Sequence, residues 1–296
     1  MRSAKFIRRS VGLVVLLILA GTACGGTGSS DGGEQADIVV DTTFLADIVS
    51  NVAGDHLTVI SLIPEGADPH SFEPTPKDAR LVAGARVVVI NSRGLSHAMD
   101  DLIAGSAPTE VALVEAAEGL EGVDEDPHCW LDPVSVMTYV DNIAEGLAAV
   151  DHEAADDYRA NARAYIGLLE ELDLWIRTEV ALVPADKRLL VTNHESLGWF
   201  ADRYGLQVVG AIFPTTAGVG SASARQIADL VTDIKNSGAP AIFIETGSNE
   251  ELARQVAAEA GVVVVSDIHT GSLAPEAPNY LGMMRWNVER ITRALR

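Results

Sequence analysis

Residues 152–183 read HEAADDYRANARAYIGLLEELDLWIRTEVALV, with no proline and a single glycine, Gly167. Tyr158, Tyr165, Leu168, Leu169, Leu172, Trp175 and Ile176 recur there at roughly helical spacing, and Pro184 follows. The stretch therefore predicts one long amphipathic helix that ends at the proline. At ~1.5 Å per residue it would run more than about 40 Å, longer than a small domain needs, so it is expected to join two lobes.

The chain on either side supports that division. From Asp37 onward, short Val/Ile-rich runs alternate with segments of helical period, the pattern of a parallel sheet covered by helices. Strands are expected at Asp37–Val40, Leu57–Leu62, Arg86–Ile90 and Glu110–Val114. After the long helix they resume at Arg188–Thr192, Gln207–Phe213, Ala241–Ile244 and Val262–Val265. Helical patterns lie between them, and two have legible starts. Thr75-Pro76-Lys77-Asp78 offers a capping threonine, a first-position proline and an acid three residues after the cap; Asp132-Pro133 opens the next in the same way. The fold class is thus α/β: two lobes, each with a mainly parallel sheet, joined by one long helix, with the site expected in the cleft between them. Residues 37–150 form the first lobe, 151–183 the linking helix and 184–296 the second lobe. Glycine-rich phosphate loops are absent at the strand-to-helix junctions, which argues against nucleotide chemistry.

The N-terminus is a separate object. Arg2, Lys5, Arg8 and Arg9 precede an apolar run from Val11 to Ala20, then small residues and Cys24, the order of a secretion signal over residues 1–23. The apolar run is too short to cross a hydrocarbon core of ~30 Å as a helix. Gly21-Thr22-Ala23-Cys24 resembles a lipobox, although Gly21 stands where an aliphatic residue is usual. Lipidation of Cys24 is expected, with residues 24–36 as a flexible Gly/Ser tether and an extracytoplasmic body held at the membrane only by that anchor. Removing residues 1–23 moves the net charge from −21 to −25, which makes nucleic acid a poor partner. With Cys24 lipidated, Cys129 has no disulfide partner, and it is expected to be a small buried side chain more than a soft ligand.

Parallel α/β sheets place ligands outside the carboxyl ends of their strands, so the residues just after each strand matter most. His70 stands in Asp68-Pro69-His70, His128 in Asp126-Pro127-His128, His194 after Val191-Thr192-Asn193, and Asp267 after Val265-Ser266. Three imidazoles and one carboxylate suit a tetrahedral zinc ion, whereas manganese favours more oxygen. His56, His97 and His152 are expected to be structural or on the surface. Glu245, at another strand exit, is a candidate to orient His194 or Asp267.

Longer motifs carry a family resemblance over about Ile38 to Arg293. They are Asp-Pro-His-Ser-Phe-Glu-Pro-Thr-Pro-Lys-Asp at 68–78, Asp-Pro-His-Cys-Trp-Leu-Asp-Pro at 126–133, His194 before Trp199-Phe200, Ile242-Phe243-Ile244-Glu245, and Met283-Met284-Arg285-Trp286-Asn287. The sequence resembles the cluster A-I solute-binding proteins of zinc and manganese ABC importers. That resemblance implies metal ligation by His70, His128, His194 and Asp267, and a histidine at 194 points to the zinc branch. It also implies Zn2+ as transported cargo (Mn2+ as the alternative), an ABC permease as partner, a zinc-donating chaperone as a further one, and a monomer without enzymatic activity. Two features depart from the family. The usual Asp-Pro-Leu-Gly is replaced by Asp267-Ile268-His269-Thr270, which makes His269 a competing ligand. The histidine-rich loop is replaced by the acidic, histidine-free stretch 115–126. Two other function classes stay in view: a surface adhesin or metal buffer, and a zinc hydrolase, disfavoured because Asp267 would close the fourth coordination position.

Overall fold

Eight short apolar runs form strands that build two sheets in this computed structural model, which describes residues 36–122, 126–214, 222–248 and 250–296; the inner strands of each sheet are buried and the edge strands partly exposed. The first sheet holds β1 (Ile38–Val40), β2 (Val59–Ser61), β3 (Val87–Ile90) and β4 (Ala112–Glu115) in the order β2-β1-β3-β4. The second holds β5 (Leu189–His194), β6 (Gln207–Phe213), β7 (Ala241–Glu245) and β8 (Val263–Ile268) in the order β6-β5-β7-β8. All their pairings are parallel. Both orders reverse direction beside the first strand of the sheet, between β1 and β3 and between β5 and β7. At such a switch point the loops part and leave a crevice.

Nine helices cover these sheets among the described residues: α1 (Thr43–Ala53), α2 (Pro76–Gly84), α3 (His97–Ser106), α4 (Pro133–Val150), α5 (Ala155–Ala181), α6 (Gly198–Tyr204), α7 (Ala224–Ser237), α8 (Glu250–Ala260) and α9 (Tyr280–Leu295). The capping signals in the sequence act as their chemistry dictates. Thr75 and Asp78 form a reciprocal capping box on α2, and Asp132 caps α4 ahead of its first-position proline. The long helix is α5, 27 residues or about 40 Å, burying Tyr158, Ala162, Tyr165, Leu169, Leu172, Ile176 and Val180 on one stripe. It lies against α1, α4 and α9, elements drawn from both halves of the chain.

The largest apolar cluster is shared by the two sheets. It joins Val40 and Val89 of the first to Leu190 and Phe243 of the second, through Trp130, α5 and α9. Trp130 is fully buried and stacks on Phe44 with ring centroids 4.5 Å apart. Its indole Nε1 donates to the Thr270 carbonyl at 2.6 Å, and its own carbonyl accepts from the Tyr280 hydroxyl at 2.7 Å. Removing such an aromatic side chain from a core costs about 3–5 kcal/mol, so Trp130 is a principal fastener between the halves.

Four strands run on past their expected ends toward the site. β4 continues to Glu115, β5 runs on through His194, β7 takes in Glu245, and β8 continues past Val265 through Asp267 to Ile268, which pairs with Glu245. Between the Phe243–Val265 and Glu245–Ile268 pairs, β8 carries one residue more than β7, and Asp267 sits in that bulge with a left-handed φ of 63°. The signal segment, Cys24 and residues 24–35 of the tether lie outside the described residues. Among the described residues, no helix is long and apolar enough to cross a membrane.

Candidate metal centre

The same local device presents two of the histidines. In Asp68-Pro69-His70 the Asp68 carboxylate accepts from the His70 backbone N–H at 3.0 Å, starting a single 3-10 turn at Pro69. In Asp126-Pro127-His128 the Asp126 carboxylate accepts from the His128 backbone N–H at 2.9 Å. Aspartate bonding the backbone two residues on is a common turn former, and proline fixes the intervening φ. The first sheet's switch point steadies the second turn. Asn91, just past β3, donates from its side chain to the Pro127 carbonyl at 3.0 Å, and its backbone N–H donates to buried Asp41 at 2.6 Å. His194 arrives differently, as the last residue of β5, directly beside Glu245 at the end of β7.

The three rings converge. His128 Nε2 lies 3.1 Å from His70 Nε2 and 3.2 Å from His194 Nε2, and the potential ligating atoms of all three fall within 4.8 Å of one another. Two of the rings are braced from behind. His128 Nδ1 is 2.7 Å from Asp126 Oδ1, and His194 Nδ1 is 2.7 Å from Glu245 Oε1. Glu245 is held in turn, accepting from Ser196 Oγ at 2.8 Å and Thr270 Oγ1 at 2.6 Å. A ring that donates its Nδ1–H to a carboxylate leaves a bare lone pair on Nε2, and this network assigns that tautomer to both His128 and His194. Their facing Nε2 atoms therefore repel unless a cation lies between them. A tetrahedral ion with ~2.0–2.1 Å bonds sets its donor atoms about 3.3–3.4 Å apart, close to the spacing here.

The electrostatics of the three rings differ. Burial, with repulsion from His128 and His194, drives the His70 pKa down to about 4. Burial also works against a charged His194, but the Glu245 carboxylate more than offsets it and the pKa rises. Glu245 is pushed up by burial and pulled further down by His194, Thr270 and Ser196, so its pKa lies below the ordinary value.

Asp267 is not brought to these rings. It is exposed and absent from the cleft wall, with its carbonyl accepting from Trp286 Nε1 at 2.8 Å. The physical reason is the extension of β8: pairing with β7 continues past the expected strand end, and the bulge sets Asp267 on the outer side. His269, Thr270, Gly271 and Ser272 take the position at the strand exit and line the cleft instead. His269 is buried beside the three histidines without joining them. Its Nδ1 meets Thr246 Oγ1 at 2.8 Å, its Nε2 lies 3.4 Å from Glu276, and its ring stacks on Trp286. At Gly271 a side chain would meet Pro69 at 2.8 Å, so only glycine passes the His70 turn that closely.

Other candidates fall elsewhere. Cys129 is buried, with Sγ 3.2 Å from the Tyr139 hydroxyl, and burial pushes its thiol up to about 11. His56 pairs with Asp157, His152 Nδ1 meets the Ala148 carbonyl, and His97 is exposed. Sequence reasoning overlooked Asp126 as the brace of His128. Its signal was present in Asp-x-His, where a carboxylate two residues before an imidazole can reach both backbone and ring. In the acidic stretch 115–126, residues 123–125 lie outside the described residues.

The family model described as ZnuA, zinc-uptake complex component A, periplasmic, matches residues 38–294, nearly the whole described chain. The chain belongs to this family. Among curated relatives, the manganese-binding lipoprotein MntA of Halalkalibacterium halodurans is 32% identical over 290 residues, covering 96% of each chain. The manganese ABC transporter substrate-binding lipoprotein PsaA of Streptococcus pneumoniae is 29% identical over 311 residues, covering 98% of this chain and 99% of its own. Of solved structures, a cadmium-bound periplasmic metal-binding protein from Candidatus Liberibacter asiaticus superposes with a TM-score of 0.80 at 25% identity, covering 88% of this chain and 99% of that one. The periplasmic zinc-binding protein TroA of Treponema pallidum has the same fold, with a TM-score of 0.80 at 24% identity and the same coverage. Family membership makes this chain an extracytoplasmic substrate-binding component of a metal ABC transporter, in a family of solute-binding proteins and not of enzymes.

Proposed function

We propose that this chain captures Zn2+ outside the membrane through the Nε2 atoms of His70, His128 and His194 and hands it to an ABC permease for import. The observation that carries this is the convergence of three Nε2 atoms, two with their lone pairs fixed inward by Asp126 and Glu245. Neutral imidazole suits zinc, and the all-nitrogen donor set disfavours the harder Mn2+. The family description, zinc uptake, agrees. Cys24 is proposed as the lipid anchor, consistent with relatives named as lipoproteins.

A second reading, manganese import, is favoured by the names of two relatives, both described by manganese. A role in adhesion or metal buffering at the surface is compatible with either metal. The hydrolase reading loses one objection, because Asp267 does not close the fourth position, but it gains no general base, and the family is one of binding proteins. Metal analysis by mass spectrometry after exposure to equal Zn2+ and Mn2+ tests the proposal. One zinc per chain, lost in His128→Ala, is expected; manganese retained in preference to zinc would select the second reading.

A further inference from the structure

Of the three non-glycine residues with a left-handed φ among the described residues, two are neighbours: Ser92 at 69° and Arg93 at 56°, followed by Gly94 at 71°. A side chain on such backbone is strained, and the conformation persists only where the surroundings hold it. Both residues are held. Ser92 Oγ donates to Glu115 Oε2 at the end of β4, at 2.7 Å. The half-buried Arg93 donates from Nη1 to the Leu120 carbonyl at 3.1 Å and from Nε to the Asp126 carbonyl at 3.3 Å. One planar fork thus ties both ends of the 120–126 stretch to the turn after β3. Trp199 of α6 completes the arrangement from the other half of the chain. Its Nε1 donates to the same Asp126 carbonyl at 3.1 Å, and its ring centre lies 5.4 Å from the Arg93 guanidinium carbon. The ring also presses on Gly122, where a side chain would meet it at 2.7 Å. With its carbonyl fastened by two donors, Asp126 has little freedom to turn its carboxylate, whose Oδ1 meets both the backbone N–H and the Nδ1 of His128.

We propose that Arg93 is a positioning residue of the metal centre: through the Asp126 carbonyl it fixes the carboxylate that braces His128, and with it the Nε2 at the middle of the three-histidine cluster. This deepens the metal-capture reading above and rests on it. The charge of Arg93 works in the opposite sense. A guanidinium beside the brace repels a divalent ion, so if charge were its whole effect, deleting it would strengthen binding. Positioning predicts weakening.

The test is the zinc affinity of the full mature chain, measured by competition with a chromophoric chelator, for Arg93→Gly, Arg93→Lys, Asp126→Ala and the double variant Arg93→Gly/Asp126→Ala. Glycine suits the left-handed φ, so the turn should hold, and lysine keeps the charge without the fork. Each Arg93 variant should bind zinc about three- to tenfold more weakly, below the ~10–100-fold of a direct brace. In the Asp126→Ala background, Arg93→Gly should cost nothing further, because the route through the carboxylate is gone. By NMR, the His128 Nδ1 proton of the zinc-loaded protein should exchange with water faster in both Arg93 variants than in the wild type. Unchanged or tighter binding in Arg93→Gly, wild-type affinity in Arg93→Lys, or losses that add in the double variant would each overturn the positioning role while leaving metal capture intact. Should Arg93→Gly not fold, Arg93→Lys with and without Asp126→Ala decides by the same criteria. A wild-type chain that binds no zinc would overturn the capture reading and this one with it.

Discussion

The two Asp-Pro-His turns, 68–70 and 126–128, share a tripeptide and a backbone hydrogen bond yet deliver different histidines. In the second, Asp126 bonds the ring as well as the backbone, and His128 is 1% exposed, central to the cluster and beside Trp130. In the first, Asp68 bonds the backbone of a half-buried His70 whose ring has no carboxylate brace among the described residues. The tripeptide therefore codes a turn, and the packing around it codes a braced imidazole. Tucking Asp126 under the Trp199 indole, which donates to its carbonyl at 3.1 Å, holds that carboxylate where the ring can meet it.

The strongest way to break this comparison is to remove each ring. His128→Ala is expected to abolish one-to-one zinc retention, because it takes out the nitrogen nearest both others, and His70→Ala to weaken it less; equal losses by calorimetry would erase the distinction. Next in size are the braces. Asp126→Asn keeps a backbone acceptor but loses the charged ring partner, and should weaken zinc binding about 10–100-fold. Asp68→Asn should leave affinity nearly unchanged, since asparagine caps a turn as well as aspartate.

Acid sharpens the contrast ring by ring. In the metal-free protein, proton NMR should show His194 titrating above the ordinary histidine value and His70 near pH 4. Protons then compete for His194 first, so zinc affinity should fall between pH 7.5 and 5.5 while His70 stays neutral and available. Equal affinity at those two pH values would contradict this. The smallest effect is expected at the residue left outside: Asp267→Asn, which removes the charge and keeps a residue tolerant of the left-handed φ of 63°, should preserve zinc binding and change stability by no more than about 0.5 kcal/mol, as for other surface positions. A large loss of zinc in that variant would show Asp267 swinging into the site.

Much of the architecture was legible because periodicity is local. Val87–Ile90 and Ala241–Ile244 are short, β-branched or aromatic apolar runs between helical patterns and so read as buried strand, and Thr75-Pro76 or Asp132-Pro133 announce helix starts through side chains a few residues away. The three histidines stood out by the same local logic, each at or beyond a strand end. Asp267 stands away from them because a strand end is not local: β8 continues for as long as the neighbouring strand offers hydrogen-bond partners, and the Thr246 N–H just past β7 donates to the Ile268 carbonyl at 3.0 Å.

By itself, the sequence determined the elements, their parallel α/β alternation, the local bonding that each Asp-Pro-His can make, and which three imidazoles stand at or beyond strand ends. These follow from side-chain period, capping chemistry and proline geometry, all set within a few residues. Only the tertiary structure decided that the three rings share one point, that Asp126 and Glu245 brace two of them, and that Asp267 faces away while Gly271 passes the His70 turn. Those outcomes depend on contacts between residues tens to hundreds of positions apart, whose strength arises only once both sheets close on the common core around Trp130.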